Sequence, residues 1–421
     1  MQAAEDADPS FRGALRVREY RWLWLAGAQS NAGDQLSRIA IMLLVYARSG
    51  SAAVSATTYA LTFLPALVGG VLLSGLADRY PRRTVMVTCD LIRCALLVIL
   101  ASSWLTTPVV DVLLVLLVLV GTPFSAASSA VLPDVLPPRH YVAGASLGMT
   151  TGQLAQLLAF AGGGVCVAFL GTRNTLLLDA ATFAVSAALI RCGMAYRPAA
   201  PGASAEAGAE SYLGRMVAGA AVVWRDSLLR YLVLFAWLAV FSIAPEAIAP
   251  AYARSVGGGA SAAGLLMAAM PAGTALGVWA YARRGSEAAR VRAMPYLAAA
   301  CGACLLASWA SPYLAVSLAL WLLCGFFAAY QISVLTRFVR RTPAHRRGQA
   351  VGLGGAGLVA FQGIGSVLAG LLASNWSPRA AVGLAGLAGL LCAVLLTPAL
   401  RRAERGPVSA PAPAAQVAPA V

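Results

Sequence analysis

Gly27, Asn31, Asp34 and Arg38 lie in the first long apolar stretch at steps of four, three and four residues. An α-helix would put all four on one face. A charge at the centre of a bilayer costs about 2.5–3.5 kcal/mol on insertion scales, so an acid and a base in one span need a reason. Four apart, Asp34 and Arg38 can pair with each other. Facing a cavity, such a pair would respond to protons or substrate; buried, it would be structural. Asp179 and Glu246 also fall within apolar stretches, and for them cavity and structural roles stand side by side. Gln29, Gln153, Gln156, Gln331 and Gln362 are uncharged groups able to donate into a cavity or to bridge helices. Enzymatic chemistry finds no such footing. The histidines, His140 and His345, stand in corresponding loops of two similar halves, which suggests a shared structural role. The chain has no lysine, hence no Walker-type phosphate loop and no ATP-driven step by that route. Cys301 and Cys304 have the spacing of a redox or metal pair but no third ligand, and read as small packing residues. Neither a metal nor a cofactor is implied.

The elements that must hold these residues follow from composition. The 421 residues are 60% hydrophobic and 11% charged, with a mean hydropathy of +0.76, whereas soluble domains carry about 25% charged residues. Spans of about 20 residues are expected near 20–47, 54–77, 84–105, 109–131, 144–170, 174–193, 229–250, 260–281, 294–310, 312–335, 350–373 and 379–400. All 31 basic residues are arginine, and 25 of them fall on one side of these spans. The loops on the other side hold only Arg48, Arg173, Arg254 and Arg379. By the positive-inside rule both termini are cytoplasmic. This placement accounts for the net charge of +15 without nucleic acid. Residues 1–19 carry no cleavable signal pattern, so the first span serves as an uncleaved start in the cell membrane.

The chain repeats itself. Tyr46-Ala-Arg-Ser49 returns as Tyr252-Ala-Arg-Ser255, and Pro65 as Pro271, both at an offset of 206. Pro138-Arg-His140 returns as Pro343-Ala-His345 at 205, and Gly144, Gly148, Gly152 as Gly348, Gly352, Ala356 at 204. Six spans separate the copies, so both halves enter the membrane from the same side as a parallel repeat. The expected fold is an all-α polytopic membrane protein of 12 transmembrane helices in two six-helix repeats. Residues 1–193 form one half, 194–228 a cytoplasmic linker with a short amphipathic helix, 229–405 the second half and 406–421 a disordered tail. The glycine ladder from Gly144 to Gly152 is expected to form a small face for close helix approach.

Gly75-Leu-Ala-Asp78-Arg79-Tyr-Pro-Arg82-Arg83, between the second and third spans, resembles the signature loop of the major facilitator superfamily. Gly33-Asp34, Leu132-Pro-Asp134 with Pro137-Pro138, Leu178-Asp179-Ala-Ala-Thr-Phe183 and Arg347-Gly348-Gln-Ala350 resemble the drug and siderophore exporters of that superfamily, which include macrolide-efflux and enterobactin-exporter proteins. Two positions depart from the pattern. Pro81 replaces a glycine, and Ala159-Phe160-Ala-Gly-Gly163-Gly164 keeps the small residues of the exporter motif without its proline. The resemblance implies the major facilitator fold and a monomeric secondary transporter. It would export a small amphipathic or apolar compound (an antibiotic, a self-made metabolite or a siderophore) in exchange for protons. Uptake with the same fold is the alternative, and a receptor without transport a more distant one. It also implies that the loop from Gly75 to Arg83 latches a cytoplasmic gate. Asp90 and Arg93, one turn apart at the inner end of the third span, are expected to serve as partners of Asp78 in that latch.

Overall fold

The computed structural model describes residues 11–198 and 212–405, apart from 74–75, 103, 284–285 and 344–345. The C-terminal tail and part of the linker therefore lie outside the described residues. The membrane helices are α1 (Arg18–Ser49), α2 (Ala52–Ala60, resumed as Leu64–Leu72), α3 (Arg82–Leu100) and α4 (Thr107–Val135). The run Pro138–Gly193 supplies α5 and α6, divided at Gly171. α7 follows in pieces (Ser227–Trp237, a 3-10 turn at Leu238–Ser242, Ile243–Ala247 and Ala249–Ser255). Then come α8 (Ala260–Arg283), α9 (Glu287–Ala307), α10 (Leu314–Phe327 with Tyr330–Arg341), α11 (Arg347–Asn375) and α12 (Pro378–Arg405).

Among the described residues eight segments are long and apolar enough to cross a membrane, and the run from Pro138 to Gly193 holds two crossings. α1, α3 and α9 are as long but more polar, and complete the twelve. Local chemistry sets the ends. α1 stops where Gly50 adopts the left-handed conformation (φ 63°) and donates to the Tyr46 carbonyl, a helix stop that glycine allows without strain. Ser51 then caps α2 by accepting from the Val54 N–H. Gly171, at φ 74° and ψ 162°, turns α5 into α6. The sequence suggests one unbroken span for α2 and another for α7, and both are interrupted. Pro65 opens the second piece of α2, and Pro245 and Pro250 sit in the last two pieces of α7. Proline lacks the N–H that would continue the ladder.

The two sets of six helices touch mainly near one face of the membrane. At Gly164 of α5 and Gly264 of α8 the backbones are so close that a Cβ on Gly164 would lie 2.7 Å from the Gly264 Cα. The Ala53 N–H at the start of α2 donates to Ser374 Oγ near the end of α11 (2.8 Å). Arg254 lies 6.0 Å from the ring centroid of Tyr46, so the two copies of the repeated tetrapeptide meet. Among the described residues the opposite, arginine-rich face carries five ion pairs, each within one half or between it and the adjoining end of the linker: Arg82–Asp134, Arg197–Glu19, Arg337–Glu404, Arg340–Glu287 and Arg341–Asp226. No ion pair joins the halves there among the described residues, although the helix Tyr212–Arg225 packs at Gly219 against the start of α11.

The expected glycine ladder gives close approach only at its first member, Gly144, whose carbonyl accepts from Tyr20 Oη of α1 (2.7 Å) and where a Cβ would lie 3.3 Å from the Tyr20 ring. A Cβ on Gly148 would meet nothing within 4 Å, and one on Gly152 would meet only the Asn31 side chain. Gly148 and Gly152 flank open space, and the backbone-to-backbone crossing with the second half falls three turns later, at Gly164.

Candidate functional site

Arg93 is buried midway along α3, and its guanidinium gathers groups from three helices. It donates to Asp34 Oδ1 of α1, to Ser30 Oγ one turn earlier (3.1 Å) and to Asp90 Oδ1 on its own helix (3.3 Å). Asp90 in turn accepts from Ser186 Oγ of α6 (2.6 Å). The Arg93 guanidinium carbon lies 4.0 Å from the centroid of Phe183, close enough for a cation–π contact, and 5.6 Å from that of Phe124.

This arrangement corrects two expectations. Asp34 pairs with Arg93 rather than Arg38. Asp90 and Arg93 are not available to a latch at the membrane surface, because they are 0% and 1% exposed within the bundle. A neighbouring helix offers a guanidinium that satisfies two carboxylates at once, which an i, i+4 partner cannot do. Arg38 instead lies over the rings of Tyr59 (5.9 Å) and Phe63 (5.7 Å) in α2.

Asp179 completes the cluster. It is buried on α6, bonded to Thr182 Oγ1 (3.1 Å), and its Oδ2 has no partner. It lies against Gly33, where a Cβ would come within 2.3 Å of Asp179 Oδ1. Any side chain at position 33 would push α6 away, so the Gly33-Asp34 step is what admits the second acid beside the first. Two carboxyls, Asp34 and Asp90, thus share one guanidinium, and Asp179 lies buried beside Gly33 as a third acid of the same region. Of the three only Asp34 reaches open space, its side chain being 39% exposed. Asp34 and Arg38 line a cavity of about 340 Å³ between α1, α2 and α4. Asn31 faces a second cavity of similar size between α1, α4 and α5.

A third cavity, of about 220 Å³, lies between the halves. Gln153 and Gln156 of α5, Glu246 of α7, Gln331 of α10 and Gln362 of α11 line it together, with Phe241, Met270 and Pro271 among its apolar walls. Gln29 is not among its lining residues. Glu246 Oε2 accepts from Tyr59 Oη (2.8 Å), a hydrogen bond that links the two halves and continues to Arg38 through the Tyr59 ring. Gln331 donates to the Ala236 carbonyl and to Tyr330 Oη, so it both lines the cavity and ties α10 to α7. The sequence reading missed Ser30, Ser186 and Tyr59. Ser30 and Ser186 carry a signal, since each lies on the helical face of a noted acid, four residues before Asp34 and seven after Asp179. Tyr59 carries none.

In the loop after α2, Gly75 lies outside the described residues, and the Asp78 side chain is not described. Arg79 is exposed. Arg82 donates to the Ala130 carbonyl (2.8 Å) and to Asp134 (2.5 Å), and Arg83 to the Arg191 carbonyl. The paired arginines thus tie the start of α3 to the ends of α4 and α6. The remaining histidine expectation divides: His140 is buried and accepts from Arg139 Nε (3.3 Å), while His345 lies outside the described residues.

The family model of the Major Facilitator Superfamily matches residues 23–320 and again 247–420. The chain belongs to the major facilitator superfamily. It is a multi-pass membrane transporter and not an enzyme. The uncharacterized MFS-type transporter YkuC of Bacillus subtilis (strain 168) is 26% identical over 180 residues, 42% of this chain and 42% of YkuC. The match thus spans less than half of that relative. Among solved structures, the bacterial homolog to the human lysosomal transporter Spinster, inward-facing and unoccupied, superposes with a TM-score of 0.69 at 13% identity, covering 92% of this chain and 97% of that one. The peptide transporter POT in complex with sulfate gives 0.69 at 15%, covering 92% and 95%. The nucleoside transporter NupG gives 0.64 at 15%, covering 91% and 99%. At these identities the likeness concerns the fold of this MFS transporter.

Proposed function

We propose that this MFS transporter exports a small amphipathic or apolar compound in exchange for protons, with Asp34 as the proton-coupling acid. The observation that carries this reading is one guanidinium shared by the carboxyls of Asp34 and Asp90, with Asp179 buried beside Gly33 and Asp34 alone reaching a cavity. Asp34, Asp90 and Asp179 bring more carboxyls to this region than the single Arg93 charge can neutralise, which gives the cluster a place to take up protons. Closing the cavity removes water and strengthens the demand for balance; opening it relaxes that demand. A change of access therefore changes the number of protons the cluster holds, which is the requirement for coupling transport to a gradient. Arg38, given that role in the sequence reading, sits on the path from Asp34 to Tyr59 and Glu246. It is suited to report the state of the cluster to the cavity between the halves.

The glutamines, Glu246 and apolar walls of that cavity fit a compound with a few polar groups on an apolar frame. Both termini in the cytoplasm, as the arginine distribution suggests, would make the separated face the inner one. The loop from Gly75 to Arg83 would then help close that face, with Asp78 meeting helix ends or arginines of a neighbouring helix. The outward direction rests on the resemblance of the motifs around Asp34, Asp134 and Asp179 to exporters. The test is transport in inverted vesicles with an imposed pH gradient and a panel of hydrophobic dyes and antibiotics. Wild-type protein should accumulate at least one compound, whereas Asp34→Asn should bind it and fail to accumulate it. Uphill pumping by Asp34→Asn with unchanged pH dependence would move the coupling site elsewhere. Accumulation in the opposite orientation would make the protein an importer.

A further inference from the structure

A groove of about 420 Å³ runs between α9 and α12 on the membrane-facing surface, away from the cavities above. The two helices cross tightly at Gly302 and Gly386, where a Cβ on Gly302 would meet the Leu390 backbone N at 2.5 Å. They diverge towards the arginine-rich face, where each carries a proline, Pro295 and Pro398. The mouth of the groove is basic. Arg401, Arg402 and Arg405 line it, and Arg401 donates to Tyr296 Oη (2.8 Å) on the facing helix. The nearby acids point elsewhere: Glu404 is held by Arg337 and Glu287 by Arg340, both of α10. Among the described residues neither Arg402 nor Arg405 has an ion-pair partner. Above this mouth the wall is mainly apolar, formed by Pro295, Ala299, Val394 and Pro398, with Val394 54% exposed.

We infer that this groove binds one anionic phospholipid, its headgroup phosphate between the three arginines and an acyl chain along Ala299 and Val394. A phosphate matches the guanidinium fork in geometry and charge. The final turns of a membrane helix lie at headgroup depth, where basic residues attract anionic lipids. A free anion would use the arginines and leave the apolar wall without a role. Zwitterionic lipid would bring a cation next to three others.

The experiment is lipid retention by the purified full-length protein in native mass spectrometry. Phosphatidylglycerol, cardiolipin or phosphatidylcholine is added back at equal concentration, and inorganic phosphate is tried as competitor. Wild-type protein should retain the anionic lipids and not phosphatidylcholine. The triple variant Arg401→Gln, Arg402→Gln, Arg405→Gln should bind them on the order of a hundredfold more weakly, about fivefold per arginine. Arg283→Gln, at the end of α8 on the same face, should retain them as wild type does. Ala299→Phe, which fills the groove without changing charge, should also lose the lipid and guards against misfolding of the triple variant. Equal retention of phosphatidylcholine, displacement by inorganic phosphate alone, or undiminished retention in Ala299→Phe would each overturn the assignment.

Discussion

Losing the guanidinium of Arg93 and losing the carboxyl of Asp34 are unequal changes, because one is enclosed and the other is partly wet. Arg93→Met would leave Asp90 and Asp179 buried without a counter-charge. Removing one partner of a buried pair costs about 3–5 kcal/mol, and Arg93→Met should lose that much. Asp34→Asn keeps an acceptor for Arg93 and faces the cavity, so its loss should be a small fraction of this. Thermal unfolding of the purified variants in detergent checks the order; equal stability would mean that Arg93 is not the centre of the cluster. At this scale the sequence showed which residues were costly and not which were partners. Asp34, Arg38, Asp90, Arg93 and Asp179 all stood out as charges within apolar stretches. Helical spacing favours pairs on one helix, whereas the structure joins α1 to α3 and lays Asp179 of α6 against Gly33. Only the folded bundle decides which helices are neighbours.

Helix ends and crossings carry the next level. The end of the first span, expected near residue 47 and found at Ser49, and the arginine excess at one face were legible, because each acts locally. The breaks in α7 were not located, although Pro245 and Pro250 were visible, since prolines within α4 and α8 leave those helices continuous. Similarly, the repeated ladder from Gly144 gave no indication that Gly164 would be the point of contact. The hydrogen bond from Ala53 to Ser374 supplies a direct handle on the meeting of α2 with α11. In a background without the native cysteines, Ala53→Cys with Ser374→Cys should form a disulfide on mild oxidation and stop turnover, and reduction should restore it. Full transport in the cross-linked protein would show that these ends need not part. A second test uses α1 and the segment after α6. The Arg197 guanidinium, hydrogen-bonded to Glu19, holds that carboxyl below its usual range. An acid depressed in the folded state adds stability above its unfolded pKa of about 4.3, and this is lost as pH falls through the lower folded value. Between about pH 6 and pH 3, wild-type protein should therefore lose more thermal stability than Glu19→Gln does. Parallel melting curves for the two would remove the pair from the list of stabilising contacts.

For the whole molecule, the arginine split makes one further claim that labelling can decide. Ala205→Cys and Ala410→Cys, placed singly in the cysteine-free background, should resist an impermeant thiol reagent outside intact cells and react once the cells are opened. Ready labelling from outside would invert the protein and with it the direction assigned to transport. The parallel repeat was legible from four matched fragments, because duplicated halves keep their turn residues. Its asymmetry was not. α1 runs unbroken past three carboxyls and Arg93, whereas α7, its counterpart, is fragmented and carries Glu246 as its one acid facing the central cavity. Duplication left two copies of one bundle, and they have divided the labour between them. The half that holds the charge cluster is constrained at Gly33, where one added methyl would come within 2.3 Å of Asp179 Oδ1. The other half gives the central cavity Glu246, Gln331, Gln362, a broken helix and apolar walls, opposite Gln153 and Gln156 of the first. On the proposed coupling at Asp34, selection could retune what is carried mainly through residues 229–405 while the means of powering it stays fixed, so that a diverging lineage would change its cargo without reinventing its engine.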